Sequence, residues 1–174
     1  MSTAPSKEFV ISRVFNAPRE LLWQCFTEEA RMAQWWGPKG IKVVKAKMDF
    51  RVGGIFHYGM QNQDGQIMWG RQVFREIKAP ERIVFINSFS DENAGLGRHP
   101  LAPQWPLQMQ TVYAFDEEPG GKSRFTVHWS PYEPTADEQA VFNAGHESMN
   151  MGWTGTLDKL ETYLVRSQQQ QQQQ

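Results

Sequence analysis

Four histidines, His57, His99, His128 and His146, and one cysteine, Cys25, are the side chains of this sequence best suited to hold a metal or act as a nucleophile. A zinc site needs imidazole or thiolate ligands at spacings that one helical turn or tight loop brings together, and neither H-x-x-x-H nor H-E-x-x-H occurs. The "HES" at 146–148 is no zinc signature. With one cysteine, neither an intrachain disulfide nor a thiolate cluster can form. No metal and no cofactor is expected. The chain also lacks G-x-S-x-G and a Walker loop, and "VGG" at 52–54 falls between strand-like runs, where a turn or bulge accounts for it. Glu117 and Glu118 sit beside Pro-Gly-Gly and read as a solvated turn, while Glu28 and Glu29 read as the exposed start of a short helix. No acid and base stand out as a catalytic pair.

Other residues bear on binding. In "RMAQWWGPKGIKV" (31–43) two tryptophans stand side by side and Gly-Pro follows. Neighbours on a helix or a strand face different ways, so one amphipathic element can bury only one of Trp35 and Trp36. Aromatic residues make up 13% of the chain, with seven Trp and eleven Phe. Such side chains fill cores and also line concave ligand sites. Gly145, Gly152 and Gly155 fall inside a segment of helical periodicity, where each costs about 1 kcal/mol relative to Ala. Gly145, Met149, Gly152 and Thr156 lie near one helical face of little bulk. That face leaves either an apolar space against whatever lies opposite or a close packing of backbones.

The elements that must position these residues are legible in outline. "EFVISRVF" (8–15) reads as a first strand, ended by "NAP". Asn16 is expected to cap a helix with Pro18 in its first turn, followed by a second short helix through Ala33. From Ile41 come six strand-like runs, "IKVVKAKMDF", "GIFHYGMQ", "QIMWGRQVFREI", "RIVFINSF", "LQMQTVYAFDE" and "SRFTVHWSPY". Turn chemistry separates them, which makes an antiparallel meander. Thr135 and Glu138 then form the T-x-x-E box of a helix start. Phe142, Met149, Trp153, Leu157, Leu160 and Leu164 carry the stripe of one long helix, with a possible break near Gly145. The predicted fold is α+β: a twisted antiparallel sheet wrapped round a long C-terminal helix, with two short helices after the first strand.

The length of 174 residues and the net charge of −1 fit one domain, spanning 8–166, with no charge block to hold nucleic acid or an anionic membrane. "MSTAPSKEF" lacks the apolar core of a signal peptide and no apolar run spans a membrane, so a cytoplasmic protein is expected. The run at 167–174 is a low-complexity glutamine tail, expected to be disordered or an appended feature, and is set outside the fold.

Four blocks in order, "ARMAQWWGPKG", "VGGIFHYGMQNQDG", "FREIKAPERIVF" and "TADEQAVFNAGHESMNMGWTGTLDKLETYL", resemble the family named after activators of a heat-shock chaperone's ATPase. That family lies within the START-like (SRPBCC) superfamily of helix-grip folds. The resemblance covers roughly residues 8 to 165. It implies a cavity between sheet and long helix, with the Gly-Pro turn near its open end and Trp36 closing the mouth. Strand alternation adds Phe56, Tyr58 and Met60 on one face. If Phe74 faces inward, alternation carries Met68, Gly70, Gln72 and Glu76 with it, and Gln72 becomes an orienting group among apolar neighbours. Trp105 would anchor a lid formed by the Gly- and Pro-rich stretch 93–108. The helix contributes Met149, Gly152 and Trp153. The expected function is binding of an apolar small molecule without covalent chemistry. A cyclase- or aromatase-like enzyme using the same cavity is the alternative the superfamily offers. A chaperone partner is the alternative the family's name offers. The sequence leaves the oligomeric state open.

Overall fold

The first strand, β1 (Phe9–Phe15), buries Phe9 and Phe15 at its two ends. After it the chain turns into α1 (Arg19–Thr27) and α2 (Glu29–Trp35). The structure is a computed structural model and describes residues 8–99 and 102–172; most of the N-terminal segment discussed above, Pro100 and Leu101 of the lid stretch, and the last two residues lie outside these. Pro18, not Asn16, stands at the N-cap of α1, with extended backbone and no side-chain cap. Proline is already fixed near the φ that the first turn requires, which serves the helix without an Asn side chain.

The sheet follows as β2 (Lys42–Met48), β3 (Ile55–Gln61), β4 (Ile67–Lys78), β5 (Arg82–Ser90), the two-residue β6 (Leu96–Gly97), β7 (Met109–Glu118) and β8 (Lys122–Pro131). The order across it is β1-β8-β7-β5-β4-β3-β2, with β6 on β5. Every pairing is antiparallel. It curls into a half-barrel closed by the helices, the helix-grip architecture.

One expectation from alternation fails on β4. The register shifts between Phe74 and Glu76, so a bulge intervenes. Beyond it Ile77 packs against the core, while Glu76 is exposed and pairs with Arg82 at 3.4 Å. The extra residue of a bulge reverses the inward set, and a carboxylate thereby leaves the concave face.

The capping box forms as read: Thr135 Oγ1 accepts from the Glu138 N–H at 3.1 Å and the Glu138 carboxylate accepts from the Thr135 N–H at 3.0 Å. Gly145 then ends α3 (Ala136–Ala144), and α4 runs from His146 to Gln172. Phe142, Met149, Trp153, Leu157, Leu160 and Leu164 are all buried in one core cluster with the sheet and the two short helices. The helix continues into the glutamine run that was set outside the fold. Gln is a good helix former, and the start of the run is held by other elements. Arg31 Nη1 donates to Ser167 Oγ at 3.2 Å and Gln168 Nε2 donates to the Asn16 carbonyl at 3.0 Å.

Candidate ligand cavity

The tryptophan pair divides its two rings between core and cavity. Trp35, at the end of α2, turns into the core: its ring meets Phe26 edge-on at 4.9 Å and its Nε1 donates to the Cys25 carbonyl at 3.1 Å. Trp36 stands at right angles to it, 5.7 Å between centroids, because the backbone leaves the helix at that residue. It packs edge-on against Tyr58 and Trp153, at 5.8 and 5.9 Å. The turn behind it is fastened to α4, where Lys159 Nζ donates to the carbonyls of Trp36, Pro38 and Ile41 at 3.4, 3.4 and 3.0 Å. Burial lowers the pKa of this ammonium. Trp36 is thus a buried wall with a fixed backbone.

That wall bounds a cavity of about 660 Å³ between the concave sheet face and the helices. Sites for small molecules commonly measure about 300–1,000 Å³. Tyr58, Met60, Met68, Gly70, Gln72, Phe85, Asn87, Met109, Thr111, Tyr113 and Trp129 line it from the sheet. Gly145, Met149, Gly152, Trp153 and Thr156 line it from the helix side, and His99, Trp105 and Pro106 from the loop before β7. Among the described residues, the lining holds no Asp, Glu, Lys or Arg.

The face of Gly145, Met149, Gly152 and Thr156 therefore borders the cavity, although at Gly145 the Trp105 ring stands 3.3 Å from where a Cβ would be. A Cβ placed on Gly152 would meet nothing within 4 Å, whereas one on Gly155 would meet Lys39, its backbone nitrogen included, at 3.4 Å. Two glycines one turn apart serve different ends, one giving room to the cavity and the other letting the Gly-Pro loop approach the helix.

The candidates named from the sequence fall into two groups. Trp36, Tyr58, Met60, Gln72, Trp105, Met149, Gly152 and Trp153 line the cavity. Phe56 and Phe74 face inward but do not line it: Phe56 is fully buried beside Tyr58, and Phe74 packs on Phe50 and Phe85 at 5.0 and 6.2 Å. Phe50 and Phe85 fill the space beside Phe74 with rings, so that end of the sheet is solid core. Sequence reading missed Asn87, Thr111, Tyr113, Trp129 and His99. Alternation from Phe85 and Tyr113 would have put Asn87 and Thr111 on the same face, but only the lateral strand order shows that they meet.

The polar groups of the lining are mutually placed. Gln72 is opposite Asn87 in register, and Thr111 Oγ1 donates to Asn87 Oδ1 at 2.6 Å. Burial pushes the Tyr58 phenol up to about 12 and raises the Tyr113 phenol well above its ordinary value, so both remain neutral hydroxyls across the ordinary pH range. Burial also lowers the pKa of His99, which favours its neutral ring. Among the described residues, three buried side-chain polar atoms have no hydrogen-bonding partner: Trp36 Nε1, Ser88 Oγ and the Tyr113 hydroxyl. Tyr58 lies close to the first and Gln72 to the last, near enough to act on the phenol pKa values, but neither contact has the geometry of a hydrogen bond. A buried polar group left unmade costs about 1–3 kcal/mol.

The loop carrying Trp105 is tied down. Trp105 rests on Phe142 and Trp129, at 6.0 and 6.1 Å between centroids. Glu138 Oε2 accepts from Arg98 Nη1 at 2.9 Å and from the Leu107 N–H at 3.0 Å, so the residue that completes the α3 capping box also anchors this loop. Among the described residues, no three of His, Cys, Asp or Glu gather into a group that could hold a metal. No helix among the described residues is long and apolar enough to cross a membrane.

Comparison with known proteins agrees with this architecture. Residues 16–165 match the sequence profile of the family described as "Activator of Hsp90 ATPase homolog 1-like protein". A search of curated proteins finds no match. Among solved structures, a protein from Arthrobacter aurescens superposes with a TM-score of 0.74 at 22% identity, covering 92% of this chain and 87% of its own. One from Nitrosomonas europaea gives 0.72 at 21% identity, covering 92% and 96%. The AHSA1 protein of Silicibacter pomeroyi gives 0.69 at 21%, covering 92% and 99%. At these identities the likeness is one of fold.

Proposed function

Given that the chain belongs to the Activator of Hsp90 ATPase homolog 1-like family, we propose that it binds an apolar small molecule in the cavity between sheet and α4, with no covalent chemistry. The observation that carries this reading is the empty surrounding of Gly152, where a side chain would meet nothing within 4 Å. A glycine in a helix interior costs about 1 kcal/mol relative to Ala. Here that cost leaves room, in a lining of rings and methionines, without easing any backbone contact. Such walls suit a ligand held by burial and dispersion, with a few polar groups for orientation.

Catalysis would need an acid and a base near neutral pKa, and the lining offers two phenols pushed upward and one histidine pushed downward. Partnership with a chaperone rests on the family description alone, and no feature of the cavity calls for it.

Titration of the full chain with the neutral probe phenylnaphthylamine tests the proposal. Saturable enhancement of probe emission with one site per chain, together with quenching of tryptophan emission, is the expected result. Native mass spectrometry of protein purified without denaturation should then show a retained small molecule or its displacement by the probe. Failure of the wild-type protein to bind the probe saturably would overturn the reading.

A further inference from the structure

We propose that the cavity selects an uncharged ring-containing molecule that carries a neutral oxygen acceptor, a ketone carbonyl or a hydroxyl, and that Trp36 Nε1 and the Tyr113 hydroxyl are the groups that recognise this oxygen. The proposal rests on the cavity being a binding site. It adds the polar end of the ligand and the two residues that read it.

Both groups are buried, both residues line the cavity, and neither has a hydrogen-bonding partner. Ser88, the third unpartnered group, also borders the cavity; it lies opposite Arg71 in the β4–β5 register, one residue along from the inward Asn87, and is not one of the two groups invoked here. An indole N–H can only donate, so whatever completes Trp36 must accept. A phenol hydroxyl can donate as well, so a neutral acceptor oxygen suits either group.

The rest of the lining sets the other limits. Among the described residues it contains no fixed charge of either sign. A carboxylate or an ammonium would be buried there without a counter-charge, which a low-dielectric wall does not tolerate. Tyr58, Trp105, Trp129 and Trp153 offer ring faces and edges, and Met60 and Met149 add polarisable sulfur, surroundings that favour a flat ring system over a flexible chain.

The test uses one carbon skeleton with four substituents: naphthalene, acetylnaphthalene, naphthol and naphthoate, each measured by equilibrium dialysis against the full chain. Acetylnaphthalene and naphthol should bind about tenfold more tightly than naphthalene, and naphthoate more weakly than naphthalene. In Trp36→Phe, and independently in Tyr113→Phe, the preference for acetylnaphthalene over naphthalene should fall toward unity, with circular dichroism verifying that each variant is folded. Tyr113→Phe keeps the ring in place and carries the test if Trp36→Phe disturbs the fold. Equal binding of naphthalene and acetylnaphthalene by the wild type would mean that the two groups are satisfied by water, and it would overturn this proposal while leaving cavity binding intact. Naphthoate binding as tightly as acetylnaphthalene would overturn the exclusion of charge. Should no member of the series bind, this inference and the binding function fall together.

Discussion

Tyr58 and Gly70 face each other across β3 and β4, and the phenol fills the space in which a side chain on Gly70 would stand. A Cβ at Gly70 would lie 2.5 Å from the Tyr58 hydroxyl oxygen and from Cζ. The glycine lets the ring lean over the neighbouring strand. Gly70→Ala should therefore displace Tyr58 and cost roughly 1–3 kcal/mol. Urea unfolding would show this as a lower midpoint at an unchanged slope. An unchanged midpoint would mean that the ring has free room to move.

The two helix glycines give opposite expectations for one substitution. Gly152→Leu places its side chain in open cavity, so the melting temperature should hold or rise while phenylnaphthylamine binding disappears. Gly155→Leu drives the same side chain into Lys39 at the Gly-Pro loop, and overpacking there should destabilise by roughly 1–3 kcal/mol. Thermal melts of the pair, run beside probe titrations, separate the cases. If Gly152→Leu melts as low as Gly155→Leu, the space beside Gly152 is not free.

Glu138 makes stability depend on pH. Burial raises its pKa, but the Thr135 N–H, the Arg98 guanidinium and the Leu107 N–H together outweigh that and hold it below the usual value. A carboxyl lowered on folding contributes fully above its unfolded pKa, about 4.3, and loses the contribution as pH falls through the lower folded value. Glu138→Gln should thus be less stable than wild type near neutrality, by roughly 1–3 kcal/mol for buried charge-assisted hydrogen bonds. The difference should close as pH drops below about 4. A gap that stays constant down to strong acid would mean that the charge plays no part.

Cys25 is fully buried, and burial pushes its thiol up to about 12. Both access and thiolate are lacking in the folded state. Labelling by a disulfide reagent at neutral pH should proceed only as fast as the protein opens, and it should accelerate in urea in step with unfolding. Rapid labelling of the native protein would contradict the packing of α1 on the sheet.

Much of the scaffold was legible because its signals are local. The T-x-x-E box at Thr135 and Glu138, the break at Gly145 and the turn chemistry between strands each depend on a few neighbouring residues. The apolar stripe from Phe142 to Leu164 is nearly as local, since helical periodicity alone groups it. What escaped depends on partners distant in sequence. Strand alternation on β4 assumed an unbroken ladder, and the bulge after Phe74 moved Glu76 outward. The glutamine run looked unsupported until Asn16 came near Gln168. At the site, the inward faces of single strands were readable, but whether an inward residue meets space or other rings was not. Phe56 and Phe74 are inward and enclosed, while Tyr113 and Trp129, inward too, border the cavity because of the strands beside them.

The strand order carries a consequence for how the chain is made. β1 pairs only with β8, so Thr126 Oγ1 donates to Ser12 Oγ across 114 residues of sequence. A chain emerging from the ribosome exposes β1 long before β8 exists, and the rings of β3, β4 and β5 appear before α4 can cover them. Loop closure over such separations is slow, and uncovered strand edges invite mispairing meanwhile. The lysines at 42, 45 and 47 of β2, which forms one border of the finished sheet, put charge along an edge that must wait in water.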